Sequence, residues 1–254
     1  MLRMDEIRMN AWDRVQYCSD LRKFSDLIQS IDDVSVLGNS IGSLYSVAQK
    51  FQYGDDDIIE SPELVFDIKK KIGGTLPADV EALTVHFSFR CEFDRSVDIS
   101  ENDPIKEYSF DIEIIGKTKN EIDPKNYWHL DKDIAPEDGG EHRFDHPLYH
   151  FQSGGYGMDK IRSTGDILVL SAPRIPHPPM DIFLGVHFIL CNFINRKDFP
   201  FIYKLFDDID YQDILKRARK RMFAPYFSAF SSYAADKEHR DFTIDRVFPV
   251  AFDN

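Results

Sequence analysis

Leu83-Thr84-Val85-His86-Phe87-Ser88-Phe89-Arg90-Cys91-Glu92-Phe93 alternates apolar and polar residues without a break. Successive side chains of a strand point to opposite faces, so this run reads as a strand with one buried and one solvated face. Tyr108-Ser109-Phe110-Asp111-Ile112-Glu113-Ile114 repeats the pattern downstream. Such one-sided burial is the habit of antiparallel sheet. Further strands are expected over residues 127–131, 148–152 and 167–170. The connections are too short for crossover helices, which favours a meander over a parallel sheet.

Upstream of this run the spacing changes. Ile7, Val15, Leu21, Phe24, Leu27 and Ile28 recur at three- and four-residue intervals, as an amphipathic helix requires. Asp32-Asp33, Gly38 and Gly42 interrupt that pattern. A shorter helix is expected after Ser61, with Pro62 at its first position, Glu63 in its first turn and Gly73-Gly74 at its end. Downstream, Pro173-Arg174-Ile175-Pro176-His177-Pro178-Pro179 is stiff and extended. Residues 180–194 are apolar on nearly every side and predict a helix buried against the sheet. A basic helix over 210–223, broken at Pro225, and a short final strand or extended tail over 242–252 complete the chain. The expectation is one α+β domain over 1–254, with a mainly helical part over 1–80. An antiparallel meander of four to six strands follows over 81–172, then a helical part with an extended tail over 173–254.

Composition narrows the function classes. Hydrophobic residues make up 43% of the chain, enough core-forming material for a folded protein. A net charge of −13 argues against non-specific attraction to nucleic acid or to an anionic membrane. Cys18, Cys91 and Cys191 are far apart and form no CxxC pair, so neither a thiolate zinc site nor a disulfide framework is expected. The charged start Met1-Leu2-Arg3-Met4-Asp5-Glu6 does not resemble a secretory signal, and no apolar stretch is long enough to span a bilayer. A cytoplasmic location is the expectation.

Six of the eight histidines fall between His129 and His187. Imidazole suits metal ligation and proton transfer near neutral pH. His142, His146 and His150 recur every fourth residue, but Pro147 prevents one continuous helix from presenting them together. His129 and Asp131 share a strand face, and His150 is expected on a neighbouring strand. His129, Asp131, His142, His146 and His150 are therefore the candidate ligands for one divalent metal, zinc or manganese. His129, Asp131, His146 and His150 are the candidate catalytic groups. The plainer alternative is a set of surface and strand-face histidines, each bonded to a neighbour, with no cofactor.

Ser153-Gly154-Gly155-Tyr156-Gly157 lacks the following helix of a phosphate-binding loop and reads as a hairpin loop. Lys216, Arg217, Arg219, Lys220 and Arg221 form the one concentrated basic run on an acidic chain. They are the candidate partner-binding residues or, alternatively, a solvated helix face. No nucleophile elbow and no zinc-protease motif is present. The balance favours a non-enzymatic protein-binding or regulatory subunit of a soluble intracellular complex, with a protein partner or self-association. The alternative is a metal- or histidine-dependent hydrolase, with nuclease chemistry included, built on the histidine cluster.

Overall fold

The alternating run becomes β2 (Ala82–Phe93), in which every second residue is buried. The computed structural model describes residues 12–31, 36–38, 40–73, 75, 77–119, 123–133, 146–154, 158, 174–233 and 239–249. Around β2 are β1 (Ile58–Ile68), β3 (Ile105–Lys117), β4 (Lys125–Lys132), β5 (Tyr149–Ser153) and β6 (Ile175–Pro176). The six strands are all antiparallel and pair in sequential order, which is the expected meander. The expected strand over 167–170 lies outside the described residues.

Register sorts the two faces. Phe89, Phe110, Leu130, Phe151 and Ile175 stand opposite one another in turn and form an apolar row across five strands. One step along, on the other face, Arg90, Ser109, Asp131, His150 and Pro176 form a mostly polar row. Facing residues of paired strands lie close enough to interact, so the register brings distant parts of the sequence together.

Helices cover the apolar face. α1 (Arg14–Ile31) and α2 (Leu44–Tyr53) come before the sheet; α3 (Ile182–Asn192), α4 (Phe201–Asp207), α5 (Ile209–Tyr233) and α6 (Ile244–Val247) come after it. α3 is the buried helix expected over 180–194. Its Asp181 cap accepts the Leu184 amide at 3.1 Å, satisfying one of the unpaired donors of the first turn. Gly185 lets the helix lie directly on the sheet. A Cβ there would stand 2.4 Å from the Phe87 ring and 2.8 Å from the Phe110 ring.

A buried ion pair ties the helices together. Asp181 also accepts from Arg221 of α5, and both side chains are almost fully buried. The Arg221 guanidinium stacks 4.6 Å from the Tyr17 ring centroid and 5.3 Å from that of Trp12. A stacked guanidinium keeps its charge while burying its faces. One turn earlier, Arg217 grips the buried Asp20 of α1 with two bonds of 2.9 and 2.7 Å. No described helix is long and apolar enough to cross a membrane.

Three sequence expectations are corrected. The segment after Ser61 is part of β1, not a helix, so the sheet begins inside the supposedly helical first third. The alternation of Leu64, Phe66 and Ile68 wins there, and Pro62 falls in the register shift between Ser61 and Leu64. That is where an edge strand tolerates proline. α5 continues through Pro225 to Tyr233. Tyr226 and Ala229 are buried, and Tyr226 packs edge-on against Phe242 at 6.1 Å, so packing beyond the proline holds the helix together. The expected tail over 242–252 contains α6, anchored by the buried Ile244 and Val247; residues 250–252 lie outside the description.

Candidate functional site

The sheet's second face is where the candidate histidines gather. His129 and Asp131 project from β4, and His150 and Gln152 project from β5. Across the ladder Asp131 stands opposite His150, and His129 opposite Gln152. On the other side β3 supplies Ser109 opposite Asp131 and Asp111 opposite His129. His129, His150 and Gln152 are buried although they lie on the face turned away from the helices. A buried polar group must find partners, so each imidazole's bonds reveal its state.

His129 has both nitrogens engaged by acceptors. Nδ1 lies 3.1 Å from the Gly154 carbonyl, and Nε2 lies 3.1 Å from Asp131 Oδ2. A carbonyl and a carboxylate only accept, so the ring must donate at both positions, as an imidazolium does. Burial by itself would lower the His129 pKa. The hydrogen bond and charge of Asp131 outweigh that effect and leave it raised. An imidazole committed at both nitrogens has no lone pair left for a metal.

His150 is the opposite case. Its Nδ1 donates to the Pro147 carbonyl at 3.3 Å, and burial pushes its pKa down to about 4. The ring is therefore neutral near pH 7, with its lone pair on Nε2. The His146 ring stands edge-on to it at 5.1 Å, and His146 Nδ1 contacts Asp133 Oδ1 at 3.1 Å. The structure thus brings His146 and His150 together, bonds His129 to Asp131, and places that same Asp131 opposite His150 across the ladder. His142 lies outside the described residues. Among the described residues no group of three or more His, Cys, Asp or Glu side chains is placed to hold a metal ion.

The rest of this face is a hydrogen-bonded fabric. Tyr127 and Ser109 both donate to Asp111, and burial, followed by that carboxylate, raises the Tyr127 pKa. Asp111 was not singled out by spacing. Only the β3–β4 register shows that it stands opposite His129.

The basic run divides into two sets. Arg217 and Arg221 point inward and are held by Asp20 and Asp181. Lys216, Arg219 and Lys220 are exposed and, among the described residues, have no ion-pair partner. Helical spacing carries the same face on to Phe223, Phe227 and Phe230. Phe227 and Phe230 are 50% and 46% exposed, far more than an aromatic in a core helix. From Lys216 to Phe230 this face runs about 21 Å, at 1.5 Å per residue. It is cationic at one end and aromatic at the other. The sequence reading found the cations but missed the aromatics, because it ended the helix before Pro225.

Compared with known proteins, the chain matches no family model, no curated protein and no solved structure.

Proposed function

We propose that the chain is a non-enzymatic protein-binding subunit of an intracellular complex. In this reading the exposed face of α5 holds an acidic, partly apolar segment of a partner protein. The observation that carries the proposal is the pairing of Lys216, Arg219 and Lys220, which have no carboxylate partner among the described residues, with the exposed Phe227 and Phe230. Aromatic and Arg side chains are the residues that dominate binding energy at interfaces. With a net charge of −13, the molecule as a whole repels phosphate backbones and anionic lipid, which leaves a protein as the fitting counterpart for three local cations.

The test compares the full chain with a variant carrying Lys216→Glu, Lys220→Glu and Phe227→Ser, each used to recover partners from native extract. All three positions are solvent-facing, so thermal unfolding should be unchanged. A partner recovered with the native chain and lost with the variant supports the proposal. Equal recovery by both, or a strict monomer that recovers nothing, contradicts it.

A second reading, a metal- or histidine-dependent hydrolase, rests on the adjacent His146 and His150 rings, with Asp133 bonded to His146 and Asp131 opposite His150; as placed these four do not converge on one metal, so the reading needs a further ligand such as His142, which lies outside the described residues. Under this reading zinc or manganese co-purifies with protein made without a histidine tag, and His150→Ala removes it. Metal-free protein after purification in zinc- and manganese-supplemented buffer rejects the reading.

A further inference from the structure

Of the two histidines outside the 129–187 stretch, His239 is buried, and it stands where the chain passes from α5 to α6. Its Nδ1 meets two backbone donors, the amide of Asp241 at 3.1 Å and that of Phe242 at 3.0 Å. A ring nitrogen that accepts needs its lone pair, so the proton sits on Nε2, which donates to the Ile99 carbonyl at 3.2 Å. Short polar side chains such as Asn and Ser commonly cap the amides that follow them in this way. Here a titratable ring takes that place, and its two nitrogens have opposite roles.

These bonds begin a strap, residues 239–247, that crosses the loop over 98–103. The Arg240 amide donates to the Glu101 carbonyl at 2.9 Å, and the Asp103 amide donates to Asp241 Oδ2 at 2.7 Å. Further along, the Leu148 amide donates to the Arg246 carbonyl at 2.7 Å, and the Tyr226 hydroxyl donates to that of Val247 at 3.4 Å. The buried Phe242 is the apolar anchor. Its ring lies 4.8 Å from His239, 6.1 Å from Tyr226 of α5 and 6.3 Å from Tyr149 of β5, centroid to centroid.

We infer that His239 is an acid-sensitive clasp: a second proton on its ring frees the strap from the 98–103 loop and uncovers Phe242, Tyr149 and Tyr226. An imidazolium donates at both nitrogens, so Nδ1–H would face the two amide N–H groups that it now accepts. Turning the ring over gives no relief, because the other nitrogen then brings its own N–H to the same two donors. Both amides lose their acceptor at once, and a buried amide without one is costly. Tyr226 meets Phe227 edge-on at 5.5 Å, so the uncovered patch adjoins the exposed face of α5. The clasp itself does not depend on what binds that face.

The surrounding charges set where the clasp opens. Asp98 and Asp103 from the loop and Asp241 from the strap all favour the imidazolium. Asp103 is already engaged by Lys132 of β4 at 2.9 Å and by the Tyr149 hydroxyl at 2.7 Å, and Asp241 lies 3.5 Å from Arg246 of α6. Tyr149 and Tyr226, whose pKa values burial raises, stay uncharged, and Glu101 and Arg240 are exposed. Burial outweighs the carboxylates and leaves the His239 pKa lowered. The contribution of the clasp is therefore complete above the unfolded value and is lost as pH falls through the folded one.

The test follows amide hydrogen exchange in the full native chain, in His239→Asn and in His239→Ala at pH 7 and pH 5. Rates are expressed as protection relative to an unstructured chain, so the intrinsic effect of pH cancels. Asparagine offers an acceptor for the same amides without titrating, and it shares every other histidine with the native chain. Protection at Asp241 and Phe242 in the native chain, divided by that in His239→Asn, should fall by about tenfold from pH 7 to pH 5. At both pH values it should also lie below the protection of the β2 amides, as local opening requires. His239→Ala should lose strap protection by about tenfold already at pH 7. A ratio that does not change with pH overturns the inference, as does native strap protection in His239→Ala at pH 7. Strap protection equal to that of β2 at pH 5 also overturns it, because the strap would then open only with the whole fold.

Discussion

His129 and His150 occupy neighbouring strands of one sheet face and reach opposite protonation states. The difference lies in what each Nε2 meets: a carboxylate for His129 and, among the described residues, no such anchoring bond for His150. Their effects on stability therefore have opposite signs. The folded pKa of His129 is raised, so its contribution is complete below the unfolded value and is lost as pH rises through the folded one. The folded pKa of His150 is lowered to about 4, so its contribution is complete above the unfolded value and is lost as pH falls towards about 4. Taking an unfolded value near 6.5, the His150 effect is on the order of 3 kcal/mol. The urea midpoint should fall steeply as pH drops from about 7 to about 4, and His150→Gln should flatten that fall. An identical pH slope in the variant would show that His150 is not buried as a neutral ring. The sequence placed these histidines on strands correctly, but protonation follows from partners such as Gly154 O and Pro147 O that spacing cannot reveal.

At the scale of elements, the strands were the most legible part. β2 and β3 alternate so strictly that their faces follow from the sequence alone. The all-round apolar character of α3 likewise announced a buried helix. The errors arose where a local signal was overruled by distant packing. Pro62 and Glu63 imitate a helix start, yet pairing with β2 makes the segment an edge strand. Pro225 imitates a helix stop, yet buried residues on both sides of it carry α5 onward. The contact between α3 and the sheet gives an element-scale prediction. Gly185→Ala would push a methyl group into the Phe87 and Phe110 rings, so it should destabilise the fold by about 1–3 kcal/mol although alanine is the better helix former. Chemical denaturation measures this directly, and a neutral or stabilising result would mean that the helix stands off the sheet.

At the scale of the whole molecule, one face of the meander is sealed by helices and the outer surface of α5 is left unsatisfied. The internal carboxylates Asp20 and Asp181 neutralise two of the five cations in the basic run and anchor the helix to α1 and α3. The remaining three face outward on an acidic molecule, in line with exposed phenylalanines. Neither half of this arrangement was visible as a surface in the sequence, because sorting inward from outward cations needs the positions of Asp20 and Asp181. Sorting the aromatics needs the helix to pass Pro225.

Under the proposed function, a partner protein sits on this face of α5. The most direct test places a photo-crosslinking phenylalanine analogue at Phe227 in the full chain, with the same analogue at the exposed Tyr53 as a control, and irradiates each in native extract. One discrete protein adduct is expected from position 227, absent from position 53 and lost when Lys216, Arg219 and Lys220 are reversed to Glu. Equivalent adducts from both positions, or no adduct from position 227, would contradict the proposal.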